Sequence, residues 1–356
     1  MRTLLRPTAF VDSPFGNDSK VARLAGGLNW FAAVELITVE GHKRTSTELV
    51  PVDKVQKRFD HDMAAQWQAL TSPRPALQLG DRTIRLDQPQ VMGIVNATPD
   101  SFSDGGRFAD AAAAAESGSD MARDGAAIID VGGESTRPGA KPVWEGDEIE
   151  RIVPVIRQLA AGGAAVSADT RKADVMTAAL EAGARMINDV SALTYDDRSA
   201  SVIAAAGVPV ALMHHQGAPE TMQEDPRYED VLIEVYLWME ERIRAAEAAG
   251  IARDNILLDP GFGFGKNVGH NLELMNGLAL FHSLGCSLVI GASRKRTIGA
   301  LSGEAPADKR LGGSIAFALK AIEQGAQIVR VHDVFETVQA LKVWRGLRDQ
   351  ALTPRI

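Results

Sequence analysis

Polar side chains that could bind an anionic ligand recur along this chain, each at or just after the end of a short apolar run. The acceptors and amides among them are Asn96, Asp169, Asn188 and Asp259, and the basic and hydroxyl groups are Ser293, Lys295, Arg330 and His332. Carboxylates pair with cations or accept hydrogen bonds, whereas grouped Lys, Arg and His side chains bind anions. These residue types therefore predict a site for a polar, anionic small molecule.

Strand parity indicates which of these side chains face the same way. Arg330 and His332 are two residues apart, so in a strand they share one face, opposite to their apolar neighbours. With Lys295 they form a predicted electropositive wall. An acidic protein of net charge −8 needs such a local basic group to bind an anion. The alternative is that these cations only pair with nearby acids such as Asp169 and Asp259.

The elements that carry these residues alternate regularly. Eight apolar runs alternate with eight helix-like segments, which is typical of a parallel sheet covered by helices. Eight such units predict an α/β fold, a TIM (β/α)8 barrel, and an open doubly wound sheet is the alternative. The predicted strands are 91–95, 127–131, 164–168, 185–188, 208–213, 256–258, 288–290 and 327–331. The predicted helices are 109–123, 145–159, 172–182, 198–205, 231–249, 272–284, 309–323 and 334–348.

Residues 1–75 differ from the rest and predict a small α+β N-terminal appendage. Two strands are expected at Trp30–Glu40 and Thr45–Val55, and a helix at Lys57–Leu70. The barrel then occupies residues 76–356 and begins with a hairpin at Ala76–Leu86, which could close one end of it. The sequence assigns no chemistry to the appendage.

Composition excludes several classes of protein. The chain is 45% hydrophobic and 24% charged, as in ordinary globular proteins, and its acidic balance argues against nucleic-acid binding. No apolar run is long enough to predict a membrane span. The single cysteine, Cys286, cannot form an intrachain disulfide, which fits a reducing compartment, so a cytoplasmic location is expected.

The glycine-rich stretch 260–266 does not match a phosphate-binding loop, and its glycines are expected to permit a sharp turn.

Several ordered motifs carry a specific resemblance. VMGIVNATPDSFSDGG, IIDVGGESTRPGA, ADT, INDV, LDPGFGFGK, ASRK and VRVHDV resemble the signatures of the dihydropteroate synthase family, over about residues 77–349. The resemblance implies a TIM barrel that condenses 6-hydroxymethyl-7,8-dihydropterin pyrophosphate with 4-aminobenzoate in folate biosynthesis. It also implies inhibition by sulfonamides, a Mg²⁺ cofactor and a homodimer.

The resemblance assigns roles residue by residue. It implies that Asn96, Lys295, Arg330 and His332 are catalytic, that Asn96 binds Mg²⁺, and that Asn96, Arg330 and His332 bind the pyrophosphate. The implied pterin-binding residues are Asp169, Asn188, Asp259, Lys295 and Arg330. The implied 4-aminobenzoate contacts are Phe102, Thr136, Arg137, Pro138 and Ser293, together with Lys295.

The loops after the first two strands are expected to close over bound pterin pyrophosphate and so complete the second site. The loop Thr98–Gly106 is expected to be unordered when the site is empty. His215 stands where the family usually has Met, which predicts a more polar wall of the pterin pocket. Two alternatives remain open: a pterin-binding methyltransferase that serves a cobalamin protein, and an inactive paralogue that binds a partner through residues 1–80.

Overall fold

The computed structural model describes residues 1–98, 107–135, 142–217 and 221–353, and it begins with a small antiparallel sheet covered by helices. The central strand, β3, pairs with the other three strands of that sheet. These elements are β1 (Arg2–Val11), β2 (Ala22–Arg23), β3 (Trp30–Glu40), β4 (Lys43–Pro51), α1 (Val52–Val55), a 3-10 turn (Gln56–Arg58) and α2 (His61–Thr71).

The appendage sheet therefore has four strands, where two were predicted. β1 was missed because Pro7 weakens the strand pattern, but β1 is an edge strand, where proline is tolerated. β4 is shorter than the predicted strand, since it ends at Pro51 and the chain turns into α1. The helix begins later than predicted, at His61, because the Asp60 carboxylate caps it by accepting a hydrogen bond from the Met63 N–H at 2.8 Å.

The barrel is closed. Its eight strands are parallel, and the last strand pairs with the first, which excludes the open sheet. Each predicted strand is found within about two residues of its observed bounds. The barrel strands are β7 (Gln90–Asn96), β8 (Ile128–Gly132), β9 (Val166–Asp169), β10 (Met186–Asp189), β11 (Val210–Met213), β12 (Ile256–Asp259), β13 (Ser287–Ile290) and β14 (Ile328–Val331), after a hairpin of β5 (Leu77–Leu79) and β6 (Arg82–Ile84).

Helices follow the barrel strands and cover the outside of the sheet. α9 was not predicted, and it precedes the helix expected at 309–323. No helix within the described ranges is long and apolar enough to cross a membrane. The helices are α3 (Arg107–Asp124), α4 (Glu145–Ala161), α5 (Ala173–Ala182), α6 (Ser199–Ala206), α7 (Val231–Ala248), α8 (Val268–Gly277), α9 (Arg296–Leu301), α10 (Leu311–Glu323) and α11 (Val334–Ala351), with 3-10 turns at Arg253–Asn255, Leu278–Leu284 and Ala307–Lys309.

The hairpin fills the end of the barrel at which the strands begin. Its Leu77, Leu79 and Ile84 pack with a layer of inward-facing apolar side chains, one from each barrel strand or from the residue just before it. That layer consists of Met92, Ile128, Ala165, Met186, Ala211, Leu257, Val289 and Ile328. Because this end is closed by hydrocarbon, polar groups inside the barrel are confined to the opposite end, the mouth.

The appendage packs on the outer face of the barrel. Leu4 on β1 and Ile37 on β3 belong to the same buried cluster as the barrel helices. Arg74, at the end of the appendage, is buried and donates hydrogen bonds to the carbonyl oxygens of His282 at 2.9 Å and Cys286 at 3.2 Å. Arg2 also forms an ion pair with Glu240 on α7 at 2.6 Å. The appendage is therefore held by apolar contacts and by buried polar ones.

Candidate active site

Arg330 lies at the centre of a buried polar cluster in the mouth. β14 directs its side chain inward, where Nε donates to Asp130 Oδ2 and Nη2 donates to Asp169 Oδ2, both at 2.6 Å. Asn188 Nδ2 donates to the same Asp130 oxygen at 3.0 Å. Strands β8, β9, β10 and β14 thus contribute one side chain each. Because two of its in-plane N–H groups bind carboxylates on neighbouring strands, the guanidinium is fixed in orientation, and a planar guanidinium can stack on a ring.

Asp259 and Lys295 extend the cluster on the β12 and β13 side. Asp259 Oδ1 accepts a hydrogen bond from the Gly261 N–H at 2.8 Å, which fixes the carboxylate at the end of β12. Lys295 Nζ donates to the carbonyl oxygen of Phe262 and lies 4.1 Å from the centre of the Phe264 ring. The loop after β12 therefore contacts both residues.

Three carboxylates, Asp130, Asp169 and Asp259, face the cations Arg330 and Lys295, and the buried Lys266 beneath the β12 loop also acts on Asp259. Burial raises the pKa of Asp169 to about 7 although Arg330 acts in the opposite direction, and burial also raises the pKa of Asp259. Burial lowers the pKa of Lys295 to about 8, against the effect of Asp259. Burial alone would lower the pKa of Arg330, but Asp130 and Asp169 more than offset it and raise that pKa. The mouth therefore has spare acceptor capacity for a ligand edge that carries donors.

The predicted electropositive wall is thus accompanied by acids, and its cations are partly paired with them. His332 lies beside Ser293, whose hydroxyl oxygen is 3.1 Å from His332 Nδ1 and accepts the His332 backbone N–H at 3.2 Å. Asn96, at the end of β7, has an exposed side chain. The structure therefore places Asn96 at the end of β7, Ser293 in the loop after β13 and His332 directly after β14, all at the mouth.

Four predicted contacts, Phe102, Thr136, Arg137 and Pro138, lie outside the described residues. The expectations that the loops after β7 and β8 close over a ligand, and that Thr98–Gly106 is unordered without one, concern the same parts of the chain. The residues on both sides of the gap in the loop after β8 are described. Glu134 accepts hydrogen bonds from the Val143 N–H at 2.8 Å, Arg171 Nε at 3.1 Å and Lys172 Nζ at 3.2 Å. Burial alone would raise the pKa of Glu134, but these partners lower it, so the carboxylate is charged and joins both ends of the loop.

His215 is half-buried after β11, and its Nδ1 lies 3.2 Å from the carbonyl oxygen of Gly217. Burial lowers its pKa, so the imidazole is neutral near pH 7. A neutral ring at this position is polar without adding charge to the mouth.

Asp130 is the main site residue that was not assigned a role from the sequence. It is fully buried and contacts two of the predicted residues, Arg330 and Asn188. A signal was available, because Asp130 is two residues after the inward-facing Ile128 and is a charged residue within an otherwise apolar strand. Such an acid is expected to be paired, since burying an unpaired charge is costly.

Comparison with known proteins agrees with this geometry. A family model described as pterin binding enzyme matches residues 92–332. The dihydropteroate synthase of Escherichia coli K12 is 48% identical over 262 residues, which is 73% of this chain and 92% of the relative. This chain belongs to the dihydropteroate synthase family of pterin-binding enzymes.

Solved dihydropteroate synthases have the same fold. The Xanthomonas albilineans enzyme with 4-aminobenzoic acid has a TM-score of 0.74 and 46% identity, over 79% of this chain and 100% of that one. The Yersinia pestis enzyme with a sulfonamide drug complex has a TM-score of 0.73 and 45% identity, over 77% and 99%. The resemblance read from the motifs is therefore confirmed, and about a quarter of this chain has no counterpart in these dihydropteroate synthases.

Proposed function

We propose that the chain condenses 6-hydroxymethyl-7,8-dihydropterin pyrophosphate with 4-aminobenzoate, releasing pyrophosphate and forming 7,8-dihydropteroate in folate biosynthesis. As a member of the family it is a transferase. The observation that carries the proposal is the buried cluster in the mouth, in which the carboxylates Asp130, Asp169 and Asp259 lie beside the cations Arg330 and Lys295. A dihydropterin presents an edge of N–H donors and a phosphate tail, and it needs both kinds of group.

The pterin would bind to Asp169, Asn188, Asp259, Lys295 and Arg330. Buried carboxylates suit the 2-amino group and the ring N–H, and each charge-assisted hydrogen bond is worth about 1.5–3 kcal/mol. Lys295 would donate to the acceptor atoms of the ring. Arg330 would stack on the ring and reach the pyrophosphate, which its planar group permits and a lysine ammonium would not.

The reaction would proceed by dissociative loss of pyrophosphate. The C–O bond from the pterin methylene breaks with its electron pair going to the pyrophosphate, and the electron-rich dihydropterin delocalises the cation left behind. Arg330 and His332 would stabilise the leaving anion by charge and hydrogen bonding. The amine of 4-aminobenzoate then forms the new C–N bond and loses a proton, and its nucleophilicity makes a strong base unnecessary.

Mg²⁺ is proposed as the cofactor, held by Asn96. The side-chain oxygen of Asn96 is a hard donor, and its exposure at the end of β7 leaves it free to face a phosphate tail. Within the described ranges no group of three or more His, Cys, Asp or Glu side chains could hold a metal ion. The single side-chain oxygen of Asn96 fits an ion that keeps most of its waters and shares the substrate's phosphates. When bound, the ion would neutralise charge on the departing pyrophosphate.

The second substrate would lie nearer the surface. Ser293, beside His332, suits the carboxylate of 4-aminobenzoate, and Phe102, Thr136, Arg137 and Pro138 would supply the remaining contacts. The Xanthomonas albilineans relative was solved with 4-aminobenzoic acid and the Yersinia pestis relative with a sulfonamide drug complex, which supports binding of both classes of compound by this family. Sulfonamides would compete with 4-aminobenzoate here, since they mimic it.

We also propose a homodimer formed through α11. Phe335, Val343 and Leu347 on this helix are 56%, 61% and 69% exposed, and their spacing of eight and four residues places them in one row. An apolar row of this kind suits a two-fold contact with a second copy. Leu347→Glu should then halve the mass measured by light scattering.

A cytoplasmic location is a further proposal, supported by the single buried cysteine, Cys286.

One assay tests the proposed activity. The chain is incubated with the dihydropterin pyrophosphate, Mg²⁺ and 4-aminobenzoate, and both pyrophosphate and dihydropteroate are measured. We expect equal amounts of the two products and inhibition by a sulfonamide. Pyrophosphate release without dihydropteroate would contradict the condensation. The absence of both products in a chain that binds the pterin would indicate an inactive pterin-binding paralogue.

A further inference from the structure

Lys266 is buried beneath the loop that follows β12. Its side chain is 2% exposed, and Nζ lies 2.8 Å from His214 Nδ1, 3.0 Å from the carbonyl oxygen of Gly261 and 3.1 Å from that of Phe264. Burial lowers the pKa of Lys266 well below its usual value, against the effect of the Asp259 carboxylate. The three acceptors that surround Nζ match the three N–H donors of an ammonium. Lys266 therefore closes its own loop and attaches it to the residue after β11.

The loop can lie this close to β11 only because of its glycines. Gly261 has a φ of +70°, and a Cβ at this position would be 1.8 Å from the carbonyl oxygen of His214. At Gly265, with a φ of +63°, a Cβ would be 2.3 Å from the carbonyl oxygen of Gln216. Glycine is thus required at both positions for conformation and for space. This close approach brings Lys266 within reach of His214.

The same loop holds two of the proposed pterin-binding residues. The carbonyl of Phe262, between the two carbonyls that Lys266 binds, accepts the hydrogen bond from Lys295 Nζ, and the Phe264 ring lies against the same ammonium. The Gly261 N–H orients Asp259. Lys266 thus determines which way successive carbonyls of the loop point, and Lys295 depends on that arrangement.

His214 is suited to accept the third hydrogen bond. Burial, with the nearby Lys266 charge, lowers its pKa well below the usual value, so the imidazole is neutral and Nδ1 has a free lone pair. Its ring packs edge-on against Trp238 on α7, with 4.8 Å between the ring centres, which fixes its orientation. His214 is therefore a rigid acceptor rather than a second cation.

We propose that Lys266, through His214, is a positioning residue for the pterin pocket: it holds the Gly261–Gly265 loop in the conformation that directs Lys295 and Asp259 at the pterin. The inference rests on the proposed pterin-binding role of those two residues. The competing explanation is that Lys266 contributes only to stability, like other buried lysines.

The first test separates binding from folding. Lys266→Met keeps the length and apolar stem of the side chain but removes all three donors. We expect the KM for the pterin substrate to rise about tenfold or more, and the KM for 4-aminobenzoate to rise less, because Lys295 is the one residue held by this loop that is also an implied 4-aminobenzoate contact. Arg74→Met is the matched control, because Arg74 is also a buried cation that donates to carbonyl oxygens, but it lies on the outer face of the barrel, away from the mouth. It should lower thermal stability without raising the pterin KM. Equal pterin KM changes in the two variants would overturn the proposal.

Substitutions of His214 keep the proposal testable if Lys266→Met fails to fold. An asparagine side-chain oxygen can occupy the position of His Nδ1, so His214→Asn retains the acceptor and should keep the pterin KM within about threefold of the original. His214→Leu removes the acceptor and should raise the pterin KM as Lys266→Met does. Identical pterin KM values for the two His214 variants would contradict the proposal.

A double-mutant cycle tests the route through Lys295. Lys295→Met should weaken pterin binding by itself. Lys266→Met, which alone should weaken pterin binding about tenfold, should then weaken it little further when added to Lys295→Met. Additive losses would reject the route through Lys295. If Lys295→Met bound the pterin as tightly as the original chain, the proposed pterin site would fail instead, so the two failures are distinguishable.

Discussion

The two ends of this barrel are built by the same eight strands, yet one end is filled with hydrocarbon and the other with ionisable groups. Leu257 on β12 and Ile328 on β14 belong to the apolar layer closed by the hairpin. Two residues further along the same strands, Asp259 and Arg330 face the mouth. A step of two residues covers about 7 Å, so the interior changes from dry to charged within one layer of side chains.

The difference between these ends shows how the fold tolerates a costly site. Several buried acids and cations in the mouth weaken the folded state, because each charge loses its hydration. The apolar end offsets this cost and contributes nothing to the chemistry. Substitutions at one end should therefore change stability, and substitutions at the other should change binding.

Arg330→Met should have the largest effect, because it leaves Asp130 and Asp169 buried without their cation. The free energy of unfolding should fall by about 3–5 kcal/mol, and product formation should be lost. Urea unfolding measures the loss of stability, and the assay of pyrophosphate and dihydropteroate measures the loss of product formation. Arg330→Lys restores the charge and should recover most of the stability but little of the activity. Full activity in Arg330→Lys would show that the planar guanidinium is unnecessary.

Leu257→Ala at the opposite end should separate stability from catalysis. Removing a fully buried leucine leaves a cavity, so the free energy of unfolding should fall by about 2–5 kcal/mol. At a temperature where the variant is folded, kcat/KM should stay within about threefold of the original. A large loss of kcat/KM would mean that the apolar layer positions the mouth as well as stabilising the barrel.

Asp169→Asn should show the reverse pattern. Losing a charged acceptor should weaken pterin affinity by about 10–100-fold, measured by titration calorimetry. Stability should not fall at pH 7. The pKa of Asp169 in the folded protein is about 7, above its value of about 3.9 in the unfolded chain, so its ionisation opposes folding increasingly between pH 4 and pH 7. The asparagine variant should therefore gain stability relative to the original as the pH rises through that window, and a relative loss would contradict the raised pKa.

The pH dependence of pterin binding should be the smallest effect. The pterin affinity should fall about tenfold for one pH unit on either side of an optimum. Below pH 7 the Asp169 carboxylate takes up a proton and loses acceptor strength, and above pH 8 Lys295 loses its charge. A pterin without phosphates is the appropriate probe, since it adds no phosphate titration. The acid limb should disappear in Asp169→Asn and the alkaline limb in Lys295→Met. A pterin affinity that does not change between pH 5 and pH 10 would contradict both assignments.

Much of this architecture could be predicted from the sequence, because the barrel depends on local patterns. The eight apolar runs and the helices between them specify a closed barrel, and strand parity correctly directed Arg330 inward. β1 could not be found in this way, since Pro7 and the surrounding polar residues carry no clear alternation. Its position depends on pairing with β3, which is a nonlocal interaction.

The contacts within the site were less accessible to sequence analysis. The glycines after β12 were correctly expected to permit a sharp turn, but nothing in the motif indicates that Lys266 folds back beneath its own loop. The partners of Asp130 come from strands β10 and β14, far away in the chain. Patterns in the sequence therefore predicted which residues reach the mouth, but the hydrogen bonds between them required the three-dimensional arrangement.

The buried Arg74 constrains the order in which the protein can be completed on the ribosome. One of its acceptors, the His282 carbonyl oxygen, lies 208 residues later in the chain. At a synthesis rate of roughly 5–20 residues per second, Arg74 waits about 10–40 s for this partner. During that interval Leu4 and Ile37, which face the barrel, have nothing to cover them. The appendage is thus synthesised before the barrel but can be completed only after it, so we expect its uncovered apolar face to be exposed to chaperones while the barrel is made.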